Sequence, residues 1–103
     1  MNTVVLADFE NLADYREIKG SQAFETLEMH RQALKEAKKQ MEQQGYNVVI
    51  ETCDKAGYYK FLVMSGAVNS PQNVAAYVAE KHVGGEHIPQ PDLKHQNITI
   101  IRD

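Results

Sequence analysis

A chain of 103 residues, 43% apolar and 24% charged, has the size and the apolar mass of one folded domain spanning 1–103. Its net charge of −3 argues against a general affinity for nucleic acid or anionic membrane, and no apolar run is long enough to cross a bilayer. Met1-Asn2-Thr3 does not start a basic-then-apolar leader, so a cytoplasmic protein with no membrane partner is expected.

Thr3-Val4-Val5-Leu6-Ala7 fits either a strand ending at Asp8 or a helix begun by Thr3. Leu6, Phe9 and Ala13 extend a helical stripe that Gly20 would close, so the expectation is a helix. Asp8, Glu10, Asp14 and Glu17 outweigh Arg16 and Lys19 there, as on a solvated acidic face. A second, longer helix is expected from Gly20-Ser21 to about Gln44, where Gly45 stops it. Ala23, Leu27, His30, Leu34, Ala37 and Met41 recur at helical spacing, with Phe24 widening the stripe.

From Tyr46 to Ser65 two apolar runs flank Asp54-Lys55-Ala56-Gly57, which suits a type I turn and predicts an antiparallel hairpin. With Cys53 opposite Tyr58, Glu51 faces Lys60 and the ribbon acquires two apolar faces. Tyr46, Val48, Ile50, Tyr59, Phe61 and Val63 form the face expected to meet the helices; Val49, Cys53, Tyr58, Leu62 and Met64 form the other. Ser70-Pro71 then begins a third helix, with Val74, Ala75, Val78 and Val83 inward and Gly84-Gly85 ending it. A proline-containing loop over 86–96 leads to a last strand over 97–101, placed parallel in the sheet by a right-handed crossover. The expected fold class is α+β: two N-terminal helices, an antiparallel β-hairpin, a third helix and a C-terminal strand forming a small helix-packed sheet.

Asp8-Phe9-Glu10-Asn11-Leu12, following Val4-Val5-Leu6, resembles the first acidic motif of NYN-type ribonucleases. Phe61-Leu62-Val63-Met64-Ser65-Gly66 is similar to that family's second strand and Ser-Gly signature. The resemblance implies a divalent metal held in part by Asp8 and Glu10. Ala67, Val68 and Asn69 stand where the family carries acidic residues, and a hard cation needs several converging carboxylates.

Other chemistry is thinly represented. Among His30, His82, His87 and His95 only His82 and His87 approach zinc-ligand spacing, and Gly84-Gly85 lies between them. Cys53 has no second cysteine to pair with and is read as a packed thiol. No phosphate loop and no nucleophile–base pair is visible, so no cofactor and no catalytic residue is assigned. Arg31, Lys35, Lys38 and Lys39 form a basic stripe on the long helix that would track a phosphate backbone, although Glu28, Glu36 and Glu42 interleave with it.

The function expected is therefore non-enzymatic: an interaction module that binds a protein partner or itself as a homodimer. Val49, Tyr58, Leu62 and Met64 would be its apolar anchors, with Glu51 and Lys60 at the rim. An accessory or inhibitory protein of a mobile element would have this character. Nucleic-acid binding by the basic stripe is the first alternative, and a metal-dependent or degenerate nuclease the second.

Overall fold

The computed structural model describes residues 2–84, 90–91 and 99–102. The chain opens with a strand, β1 (Asn2–Asp8), not with a helix. Val4, Val5 and Leu6 are all buried, because β1 has strands on both sides and helices on both faces. A strand covered on both faces loses the alternation that distinguishes it from a helical stripe. α1 (Leu12–Lys19) follows, capped by Asn11, whose side-chain oxygen accepts from the Asp14 N–H. A 3-10 turn at Gly20–Gln22 separates it from α2 (Leu27–Gln43), so the long helix starts later than its periodicity suggests, at the Thr26 cap. β2 (Asn47–Thr52) pairs with β1 in parallel, Val4 beside Val48 and Val5 beside Val49.

The expected hairpin does not form. Its first half is β2, but Asp54 caps a helix, α3 (Lys55–Ser65), where the returning strand was expected. The Asp54 carboxylate accepts from the Gly57 N–H at 3.0 Å, and Gly66 ends the helix with φ 62°. Tyr58, Phe61 and Leu62 turn inward at spacings of three and four, while Tyr59, Val63 and Met64 face out. Glu51 and Lys60 are consequently no cross-strand pair: Glu51 lies 3.4 Å from the His82 ring, and Lys60 is exposed on α3.

α4 (Pro71–Val83) has its expected bounds. Ser70 caps it, Pro71 opens it and Gly84 at φ 71° closes it, with Val74, Ala75 and Val78 buried. β3 (Gln90–Pro91) and β4 (Thr99–Arg102) complete a sheet of order β2-β1-β4-β3. β4 runs antiparallel to β1 and not parallel to it; Asn97 and Ile98, at the start of the expected strand, lie outside the described residues, as do 86–89 and 92–96 of the loop.

Residue alternation along β1 divides the core. Val4 and Leu6 join Val48 beneath Leu34, Ala37 and Met41 of α2. Val5 points the other way, into the larger cluster of Phe9, Tyr15, Ile18, Cys53, Tyr58, Leu62, Val74, Val78 and Ala79. The product is an α+β domain with α2 on one side of the sheet and α1, α3 and α4 on the other. Asn69 ties the second layer together: it accepts from the Tyr58 hydroxyl at 2.6 Å and donates to the Ile18 carbonyl at 2.7 Å.

Gly57 allows α3 to approach α4. A Cβ there would collide with the Tyr77 hydroxyl and the Asp54 carboxylate. Gly→Ala inside a helix ordinarily stabilises by about 1 kcal/mol. Here the sign reverses: Gly57→Ala is expected to lower stability by about 1–3 kcal/mol, the usual cost of overpacking, read from the midpoint of urea unfolding.

Candidate functional site

Parallel strands present ligands at their C-terminal ends; β1 ends there in Asp8, and Asp54 lies two residues past the end of β2. Asp8 closes β1, and its backbone carbonyl accepts from the Cys53 N–H at 2.8 Å, carrying the pairing one residue past β2. The Asp8 side chain is already engaged. It accepts from the Phe9 N–H at 2.8 Å and from the Arg31 Nε at 3.1 Å, with the His30 ring 3.8 Å away. Arg31 also donates to the Phe9 carbonyl at 3.0 Å, which fixes the guanidinium over the strand end.

Asp54, just beyond β2, is engaged in the same way. It accepts from the Tyr77 hydroxyl at 2.7 Å and from Lys81 Nζ at 3.0 Å, and Lys81 donates a second time to the Thr52 carbonyl at 2.9 Å. Burial pushes the Asp54 pKa up, but the hydrogen bonds from Tyr77 and Lys81 outweigh it and leave the carboxyl below its ordinary value. Each strand-end carboxylate thus has its own internal cation. Glu10 is exposed, and among the described residues no three His, Cys, Asp or Glu side chains converge on a point where a metal ion would sit. β1 ends in Asp8, but the run 61–65, likened to the nuclease family's second strand, lies on α3, and the carboxylate set that a hard cation needs does not assemble from the described residues.

His30 lies at the same end of β1. Its Nε2–H donates to the Ala7 carbonyl at 3.1 Å, and the ring packs on Tyr15 and Phe9 with centroids 4.7 and 5.5 Å away. Burial lowers its pKa, overriding the Ala7 hydrogen bond and the Asp8 charge, so the neutral ring is favoured. His82 pairs with Glu51, and His87 and His95 lie outside the described residues. Cys53 is fully buried, and burial pushes its thiol up to about 12, which leaves it a packed thiol and not a nucleophile.

The expected basic stripe is divided. Arg31 serves Asp8 and Lys38 is half-buried, leaving Lys35 and Lys39 exposed. The proposed interaction surface is also taken apart. Tyr58 and Leu62 are inside the core at 0% and 8% exposure, and Val49 is half-buried on β2 beside Val5. Met64 remains outside at 77%, joined by Val63 at 82% and Val68 at 78%. The hairpin register places Val63 and Tyr59 inward, and Val68 is not among its anchors. Reading 54–65 as a capped helix brings Tyr59 and Val63 onto one outer ridge, since they are four residues apart. Next to this ridge, Gly57, Lys60, Phe61, Met64, Tyr77 and Glu80 line a groove of about 420 Å³ between α3 and α4.

No known protein family, curated protein or solved structure matches the chain.

Proposed function

We propose that the chain is a non-catalytic protein-interaction module that associates, through the outer face of α3, with a second copy of itself. The observation that carries this reading is the exposure above three-quarters of Val63 and Met64 on α3 and of Val68 just beyond it, while the inner face of α3 is already filled by Tyr58 and Leu62. Neighbouring apolar side chains left in water at this level mark contact surfaces. Lys60, Glu80 and Lys81 line the groove beside Met64; Lys81 is paired with Asp54, which leaves Lys60 and Glu80, one of each sign. A two-fold apposition brings each charge towards its opposite and leaves the apolar ridge at the centre, the arrangement of an isologous interface.

Sedimentation velocity over a micromolar-to-millimolar dilution series tests the proposal. A concentration-dependent dimer is expected for the parent chain. Met64→Glu, which places a charge beside the ridge at a site exposed in the monomer, is expected to weaken it at least tenfold without changing the unfolding midpoint. A parent chain that stays monomeric throughout, or a dimer indifferent to Met64→Glu, would overturn the reading.

A further inference from the structure

Apart from the α3 ridge, the molecule holds a cleft of about 350 Å³ at the C-terminal end of β1. Leu6 and Ala7, at the end of β1, are among its lining. α2, which covers one face, buries none of its side chains fully. The space left is walled by Leu34 and Met41 of α2 on one side and by Pro71 and Val74 of α4 on the other.

The chemistry of the lining is lopsided. Phe9, Tyr15 and His30 form a packed aromatic wall, with Phe9 and Tyr15 centroids 5.3 Å apart. Phe24, near the entrance, is 45% exposed. Lys19 lines the same cleft, half-buried, and its ammonium makes no hydrogen bond or ion pair with any described residue. No Asp or Glu is among the described lining residues. Burial lowers the Lys19 pKa, and the nearby Lys19 charge helps to hold His30 neutral. A half-buried ammonium with no partner among the described residues, beside apolar side chains, is complementary to a small anion with an apolar body.

We infer that this cleft binds a small organic anion with an apolar body, a medium-chain or aromatic carboxylate, whose charged end meets Lys19 while its body lies against Phe24, Leu34 and Met41. The volume is that of a small-ligand site, and a mostly apolar wall with one well-placed charge is the common construction of such sites. Bringing the carboxylate to Lys19 supplies the missing counter-charge where water is already partly excluded, which makes the pair stronger than one on the open surface.

Octanoate and octan-1-ol, equal in chain length and different in charge, are the probes. By titration calorimetry on the full chain, octanoate is expected to bind about tenfold or more tightly than octanol, the usual worth of a charged hydrogen bond. Lys19→Met is expected to bring octanoate to the level of octanol and leave octanol binding unchanged, which also shows that the cleft is intact. Lys35→Met, on the outer side of α2, should change neither. Methionine-methyl NMR locates the site: Met41 should shift on octanoate addition and Met64 should not, separating this cleft from the α3 ridge. Absence of octanoate binding at millimolar concentration, equal affinity in the parent and Lys19→Met chains, or a response at Met64 without one at Met41 would each overturn the inference.

Discussion

Tyr58→Ala is expected to cost about 3–5 kcal/mol, and Tyr59→Ala less than about 1 kcal/mol, although the two residues are neighbours of the same type. Tyr58 is completely buried in the larger core and donates to Asn69, so truncation opens a cavity and strips the Asn69 side chain of a partner. Tyr59 is 37% exposed, and its hydroxyl reaches Glu17 at 2.5 Å on the surface. An antiparallel hairpin would reverse the order, because it turns Tyr59 towards the helices and Tyr58 away from them. Urea unfolding of the two variants therefore tests the helical assignment of 55–65 through its energetics. A loss of this size is a large fraction of the about 5–15 kcal/mol that keeps a domain folded, so the Tyr58 variant is expected to unfold at a markedly lower urea concentration than the parent chain.

Asp54→Ala is expected to lower stability by about 2 kcal/mol at neutral pH, through loss of the α3 cap and of the partner shared by Tyr77 and Lys81. The figure is set below the sum of those parts because the carboxylate is about one-third exposed and solvent screens the ion pair. The dependence on pH has a definite sign. Asp54 has a lower pKa folded than unfolded, so its charge contributes stability that is fully present above the unfolded value near 3.9 and is lost as pH falls through the folded value. Asp54→Asn keeps a capping oxygen but not the charge. Its deficit should be smaller than that of Asp54→Ala at pH 7 and should close as the pH is taken down towards 2. A deficit unchanged from pH 7 to pH 2 would show that the Asp54 charge adds nothing to the fold.

The elements that were legible in the sequence carry their own punctuation. α4 is delimited by Ser70-Pro71 and Gly84, each of which has a single good structural use at its position. β2 is recognisable in Val48-Val49-Ile50. Asp54-Lys55-Ala56-Gly57 is different: an Asp followed three residues later by Gly satisfies a four-residue turn and a helix cap equally well. The residues after it, Tyr58, Tyr59, Phe61 and Val63, have high strand propensity, and tertiary packing overrode that preference. Spacing alone does not separate the two forms, because Tyr58 and Leu62 share a side in a strand and in a helix. β1 was obscured for another reason: its neighbours on both sides, Val48 and Ile100, are some 44 and 96 residues away in the chain.

The strand-end pairs were beyond local reading as well. Arg31 looks like part of a surface stripe until α2 is laid across the sheet and its guanidinium meets Asp8, twenty-three residues earlier. Lys81 and Asp54 are separated by twenty-seven residues and meet only because α3 and α4 pack side by side. The Lys19 cleft draws its lining from β1, α1, α2 and α4, which meet only in the folded chain and share no motif. Of the expected interaction surface, Met64 kept its outward position while Tyr58 and Leu62 exchanged theirs for the core. The apolar excess was visible in the residues; its distribution depended on helix or strand.

The most direct test of self-association through α3 is methyl NMR of the parent chain across dilution from millimolar to micromolar concentration. The methyl resonances of Val63, Met64 and Val68 are expected to move together with concentration, while those of the buried Val5 and Val78 stay fixed. Resonances that remain still at all three outer positions, or that move on α2 or the β2 edge instead, would contradict the assignment of this face.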